Sequence, residues 1–387
     1  MVTDMNANNS KNVYILAFTL VVVMLGFGVV IPIMPFYIEN MGAGGTELGL
    51  LVASYATMRL IFGPIWGSLS DRFGRKPILM IGILGYGIAM ILFGLSTQLW
   101  MLFASRILSG ILSSATSPTT MAYISDSTSE EGRGGGMGIL GAAIGLGTIL
   151  GPGLGGLLGG ENLTLPFFIA GGMSFLTLVL IALLLPESLP PEARQRSKKE
   201  TDKMGLRELW AALSSSIGNL FFVAFILSCG LTIFYGIFGL YALEKFGYGP
   251  EEVGTTFMVI GLVSAVVQGA LTGPVTKRWG EAAVIKFAML AAGVAYALML
   301  LADTFPTILL TTGFLIFATA LLIPAVTSLT SKHTTTNQGI TMGMSNSFMS
   351  LGRIVGPLWA GFAFDINIAY PYISGALVML VGFMISL

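Results

Sequence analysis

The chain has 387 residues, 54% hydrophobic and 10% charged, against a usual charged share of roughly 25%. Nineteen Lys/Arg balance nineteen Asp/Glu, and mean hydropathy is +0.85. So few charges cannot coat a soluble protein of 40.8 kDa, which excludes a soluble enzyme, a secreted disulfide scaffold and a nucleic-acid-binding module. With Cys229 the single cysteine and His333 the single histidine, an internal disulfide and a histidine metal cluster are excluded too.

A helix crossing the hydrocarbon core of a membrane needs about 20 apolar residues. Charge-free stretches of that order run from Lys11 to Glu39, Lys76 to Arg106, Glu161 to Glu187, Glu208 to Glu244, Glu252 to Lys277 and Asp303 to Lys332, and everything after Asp365 is uncharged. Turn residues at Ser96-Thr97-Gln98 and Asp303-Thr304-Phe305-Pro306 separate neighbouring spans. Twelve spans are predicted, at 13–37, 48–70, 77–96, 100–125, 135–159, 164–186, 212–243, 253–276, 283–302, 306–330, 338–364 and 369–387. The fold class is therefore an all-α membrane protein of twelve transmembrane helices. The first span follows a polar stretch and has no small-residue cleavage site, so it reads as a retained helix. The last reaches Leu387 with no polar tail, which points to an incomplete end.

Orientation follows from the basic residues. With the N-terminus inside, fourteen Lys/Arg occupy the inner segments and Lys245 alone the outer loops. Basic loops stay on the cytoplasmic side, so both termini are expected in the cytoplasm of a multi-pass plasma (inner) membrane protein. The remaining cations, Arg59, Arg106, Lys286 and Arg353, fall inside spans. Lys286 is near enough to the inner end of its helix to snorkel. The polar stretch 187–211, with Pro190-Pro191 and the run Arg194 to Lys199, divides the chain into halves 1–186 and 212–387. It reads as a solvated tether lying beside an anionic inner leaflet.

The halves repeat each other. Gly74 after the second span has Gly280 after the eighth as its counterpart, 206 positions on. The fifth span reads Gly147-x3-Gly151-Pro152-x3-Gly156 and the eleventh Gly352-x3-Gly356-Pro357-x3-Gly361, 205 positions apart. Pro118 and Pro324 again differ by 206. Two pseudo-symmetric six-helix bundles with a substrate site between them are the architecture of a rocking secondary transporter.

Several of these segments resemble one family. The loop Gly67 to Lys76, carrying Asp71, Arg72, Gly74, Arg75 and Lys76, resembles the signature loop of the major facilitator superfamily. Arg106-Ile107-Leu108-Ser109-Gly110 is similar to its fourth-helix pattern. The glycine-proline run with Gly147, Gly151, Pro152, Gly155 and Gly156 resembles the fifth-helix motif of its drug:proton antiporters, and Gly26 to Tyr37 is similar to the first helix of multidrug and tetracycline exporters. The resemblance implies the major facilitator fold, alternating access, and proton-coupled export of small molecules by a monomer in the lipid bilayer.

It also implies roles. Asp71 at the inner end of the second helix becomes a latch, accepting hydrogen bonds from neighbouring helix N-termini or an arginine, with simple topogenic charge as the plainer reading. Lys277 stands where the second half would repeat Asp71, so a second latch there is expected to be weak. The side-chain-poor face of the fifth helix lets helices approach closely, while Pro152 removes a backbone hydrogen bond and permits a bend. A bendable seal between halves and ordinary helix packing both fit. A guanidinium inside a membrane costs about 2.5–3.5 kcal/mol on insertion scales, so Arg106 must face a protein partner or a wet cavity. By resemblance it serves proton coupling, with structural bonding to carbonyls as the alternative. Arg59 departs from the family pattern, which has a neutral amide or small residue there. It fits attraction of an anionic group, pairing with a carboxylate such as Glu39, or snorkelling.

None of the nineteen carboxylates falls at the middle of a span. Where cation exporters keep a buried acid, this chain has Phe27, Phe234 and Tyr235. That favours neutral, zwitterionic or anionic cargo over strict cation export, and leaves Asp126, Glu39 and Asp71 as proton-site candidates beside Arg106. Met24, Phe27, Arg59, Arg106, Phe234, Tyr235, Phe238, Tyr241, Gln268, Asn346 and Phe348 are the candidate cavity residues. Large apolar pockets with few polar groups suit varied amphiphiles, and methionine makes such walls adaptable. No phosphate-binding Gly-x4-Gly-Lys-Ser/Thr loop occurs, so nucleotide hydrolysis is not the expected energy source, and no cofactor or metal is expected. The leading expectation is export of amphiphilic small molecules; a carrier for one endogenous zwitterionic or anionic metabolite is the alternative.

Overall fold

The computed structural model describes residues 2–127, 130–191, 194, 217–334 and 338–386. The described residues form twelve helices and no strand. They are α1 (Val2–Glu39), α2 (Gly45–Phe73), α3 (Arg75–Gly94), α4 (Leu99–Ser127), α5 (Glu130–Glu161), α6 (Leu165–Leu184), α7 (Gly218–Phe246), α8 (Pro250–Trp279), α9 (Glu281–Leu300), α10 (Phe305–Lys332), α11 (Gln338–Ile366) and α12 (Tyr370–Ser386). In hydrocarbon every backbone N–H and C=O must be satisfied within its own segment, so apolar stretches of this length become helices. The first ten are long and apolar enough to cross a membrane. Every predicted span has its helix, while most of the basic stretch expected at 187–211 lies outside the described residues.

Two of the spans, expected as unbroken helices, are interrupted. In α4 the helix stops at Ser113 and restarts at Thr116. Pro118 has no N–H to give the carbonyl four residues back, at Ser114, and its ring crowds that carbonyl. In α8 a π-turn occupies Val267–Leu271, just before Pro274; the same missing donor is accommodated by widening the helix, and Thr272 Oγ1 donates to Val267 O at 3.0 Å.

Glycine punctuates both halves at equivalent places. Gly74, between α2 and α3, has φ 110°, and Gly280, between α8 and α9, has φ 76°. Residues with a Cβ rarely adopt such angles, so the tight reversal requires glycine.

The helices gather into two compact units: Met1–Ile33 with Ser54–Asp202, and Met34–Ala53 with Lys203–Leu387. In the first, Leu16, Leu20, Leu79, Ile83, Leu140 and Ile181 form a buried core from α1, α3, α5 and α6. In the second, Tyr296 of α9 is fully buried, donates to Gly230 O of α7 at 2.5 Å, and lies against Gly375 of α12. The second unit also contains the junction of α1 and α2. There Asp365 at the end of α11 accepts hydrogen bonds from Gly45 N and Thr46 N, both at 2.8 Å, and from the Thr46 hydroxyl.

The glycine-proline motif brings α5 onto the backbone of α1. A Cβ on Gly151 would lie 2.6 Å from Leu25 O, one on Gly155 2.8 Å from Val29 O, and one on Gly147 2.9 Å from Val21 O, all on α1. Pro152 and Gly156 are buried on the same helix. The repeat on α11 behaves alike: a Cβ on Gly352 would lie 2.6 Å from Phe225 O, and one on Gly356 2.6 Å from Cys229 O, both on α7. Gly147, Gly151 and Gly155 thus seat α1, and Gly352 and Gly356 seat α7, while Gly361 of the second motif lies against Gly45 and Gly49 of α2.

Candidate functional site

α2 and α4 meet tightly in the first unit because Gly110 has no side chain; a Cβ there would lie 2.9 Å from Tyr55 O. Trp66 Nε1 donates to Ile111 O at 2.6 Å along the same seam. Into it project two guanidiniums. Arg106 is 3% exposed, its guanidinium 5.1 Å from the centre of the Tyr55 ring and 5.8 Å from that of Phe93. Its Nε has no hydrogen-bond partner among the described residues. Tyr55 in turn lies 3.4 Å, hydroxyl to hydroxyl, from Ser113 and packs on Phe27 with ring centres 5.8 Å apart. One turn along α2, half-buried Arg59 donates to the Ser117 hydroxyl at 3.4 Å. The ion pairs among the described residues involve neither arginine. The buried Tyr86, Ser109, Thr116, Thr119 and Thr120 hydroxyls also have no described partner.

A second polar centre surrounds Arg75 at the start of α3. Its Nη1 pairs with Asp71 at 2.5 Å and donates to Ser70 Oγ at 2.7 Å, while Nε pairs with Asp126 of α4 at 2.9 Å. Glu187, just past α6, accepts from the Arg75 and Lys76 backbone N–H groups at 2.8 and 3.2 Å. A carboxylate across the N-terminus of a helix satisfies orphan donors and matches the helix dipole. Lys76 Nζ donates to Ala182 O at 2.8 Å. Arg72 is exposed beside this centre, and Asp71, although paired with Arg75, is 41% exposed. Asp126, a proton-site candidate, is therefore engaged with Arg75, and Glu39 is exposed at the end of α1.

The aromatic candidates on α7 divide between two groups. Phe234, Tyr235 and Phe238 surround Phe257 of α8, with ring centres 6.2, 5.6 and 5.5 Å from it. Tyr241, further along the same helix, lies against Tyr372 with tilted rings 4.2 Å apart and donates to Met299 O. Phe348 stacks on Phe221 at 5.6 Å. Gln268 lies exposed in the π-turn, donating to Ser264 Oγ, and Asn346 is exposed on α11. Met24 packs against the core of the first unit. Tyr55, Phe257 and Glu187 were not among the expected residues. Tyr55 had one usable signal, its place four residues before Arg59.

Comparison with known proteins gives the family. The description of the Major Facilitator Superfamily fits residues 16–357. The chain is 33% identical over 377 residues to Multidrug resistance protein 2 of Bacillus subtilis (strain 168), covering 97% of this chain and 94% of that one. The chain belongs to the Major Facilitator Superfamily.

This superfamily member is also 28% identical to the Quinolone resistance protein NorA of Staphylococcus aureus (strain COL), over 98% of its own length and 96% of NorA. Among solved structures it shares the fold of a bacterial homologue of the human lysosomal transporter Spinster, with TM-score 0.78, 15% identity and coverage of 98% and 94% of the two chains. The human organic anion transporter MFSD10 (TETRAN) matches with TM-score 0.70, 22% identity and coverage of 98% and 99%. The protein is a membrane-embedded transporter of small molecules, not an enzyme.

Proposed function

We propose that this superfamily member is a proton-coupled exporter of amphiphilic small molecules, a monomer in the plasma membrane with both termini cytoplasmic. Its halves, 1–186 and 212–387, joined by the linker 187–211, alternate access to the cargo. The observation that carries this reading is the end-to-end likeness to multidrug resistance proteins. Arg106 is the residue assigned to proton coupling: a membrane-buried guanidinium without a carboxylate is costly unless its charge is used. The centre on Arg75, with Asp71, Asp126 and Glu187, is the conformational latch. Separating charges held this way requires energy that cargo or proton binding supplies, since a ligand moves a two-state equilibrium only by its differential affinity. Phe234, Tyr235 and Phe238 supply apolar, deformable contact for cargo of varied shape.

A second reading, export of one endogenous zwitterionic or anionic metabolite, is favoured by Arg59 and Arg106 lying in one seam with no carboxylate paired to either among the described residues. Efflux from energised vesicles tests the main reading. Expulsion of several structurally unrelated dyes that stops when the pH gradient is collapsed is expected. Efflux indifferent to the gradient contradicts proton coupling, and efflux of a single compound favours the metabolite reading.

A further inference from the structure

Among the described residues, no carboxylate pairs with either of the two cations in the α2–α4 seam, and their recorded partners are neutral. Arg106 meets the faces of Tyr55 and Phe93, and Arg59 meets the Ser117 hydroxyl. Ring faces and hydroxyls stabilise a guanidinium by fractions of what a carboxylate contributes, because they carry partial rather than full charge. Arg106 Nε, at 3% exposure, still has no hydrogen-bond partner among the described residues. A charge withdrawn from water without a counter-ion, as at Arg106, favours an incoming anion, since the cost of desolvating it has already been met in folding.

We infer that Arg59, with Arg106 against the Tyr55 ring of the same seam, receives the carboxylate of a carboxylate-bearing amphiphile. Arg59 is the half-buried member and offers the planar fork that matches a carboxylate bidentately. Arg106 contributes its field through a low-dielectric seam. Arg59 is thus a specificity-determining residue: it selects cargo by charge, whereas the aromatic residues of α7 tolerate cargo of many shapes. The absence of any carboxylate in the middle of a predicted span points the same way, since a cationic head group would find repulsion here and no buried acid. The inference takes from the export reading only that the ligand is cargo.

The test is binding of three dansyl probes to purified protein in nanodiscs, with protein-free nanodiscs correcting for partition: N-dansyl-phenylalanine, its uncharged methyl ester, and cationic dansylcadaverine. Wild-type protein should bind the acid more tightly than the ester and the cation. Arg59→Gln should weaken the acid by about tenfold, the scale of a lost hydrogen bond to a charged group, and leave the ester unchanged, which also certifies a folded variant. Arg59→Lys should fall between, keeping the charge and losing the fork. Wild-type protein that does not prefer the acid, or an Arg59→Gln variant that keeps the preference, overturns the inference. Should Arg59→Gln fail to fold, the wild-type preference and the Arg59→Lys variant decide. Gradient-driven efflux of ester and cation without preference for the acid sinks this inference and leaves the export reading standing. Loss of gradient dependence with the acid preference intact does the reverse.

Discussion

Glu281 and Lys332 form an ion pair at the places in the second half that Arg75 and Asp126 hold in the first, with the charges exchanged. Each partner is 206 positions on (281 from 75, 332 from 126), the same offset that relates Gly280 to Gly74. The duplicated structure retained a bridge between the first turn of one helix and the last turns of the next while reversing its sign. Lys277 in place of Asp71 therefore does not leave the second half without a counterpart to the first centre: Glu281 also accepts from the Ser328 hydroxyl at 2.9 Å.

An exchange of charges is then expected to be tolerated in the first half as well. Arg75→Glu should destabilise the protein by roughly 3 kcal/mol, the scale for breaking a largely buried pair, because it leaves Asp71 and Asp126 facing a like charge. Adding Asp126→Arg should recover part of the loss and not all, since Asp71 and Ser70 keep their orientation toward position 75. Thermal melting of the single and double variants in detergent gives the comparison; equal melting of the two would show that the pair contributes nothing.

Glu187 pins the first turn of α3 from 112 residues away. Glu187→Gln keeps one acceptor and should cost less than Glu187→Ala, which should remove about 1 kcal/mol, as losing a helix cap does. Hydrogen exchange at the Arg75 and Lys76 amides should rise in the same order. Unchanged exchange at both amides would contradict the cap.

Gly151 and Gly145 lie on the same helix, yet a Cβ at Gly145 meets nothing within 4 Å while one at Gly151 strikes the α1 backbone. Gly151→Ala should therefore cost about 1–3 kcal/mol through overpacking, and Gly145→Ala should be neutral or slightly stabilising. Melting temperatures of the two variants test this directly, and Gly356→Ala should behave as Gly151→Ala does.

Asp365 holds the N-terminus of α2 through Gly45 and Thr46. Asp365→Ala should cost about 1–2 kcal/mol, while Asp365→Asn, which keeps one acceptor oxygen, should cost less. The ratio of the two losses in a denaturation series checks the assignment; equal losses would point to charge alone.

The helices were legible in the sequence because charges are so scarce that each one marks a membrane boundary, and Gly74, Gly280, Pro118 and Pro324 made the repeat visible through a fixed offset. The interruption of α4 was legible in principle, since Pro118 names the carbonyl it cannot bond. The tertiary partners were not. Asp126 looked like a free acid at a span end because nothing in its spacing points to Arg75 on another helix. Glu187 read as the start of a linker, and Tyr241 shared a helical face with Phe238 but found Tyr372 instead. Tyr55 had only its neighbour Arg59 to single it out, because an aromatic residue in an apolar helix has the same pattern whether it packs on lipid or on a guanidinium.

Counter-movement of protons and cargo tests the account most directly. In proteoliposomes containing this protein alone, with a pH-sensitive dye trapped inside, cargo added outside will enter down its gradient. Exchange predicts that the lumen turns alkaline as protons leave, and that Arg106→Ala abolishes the change. A lumen that stays at constant pH while labelled cargo enters, or one that acidifies, contradicts proton-coupled exchange.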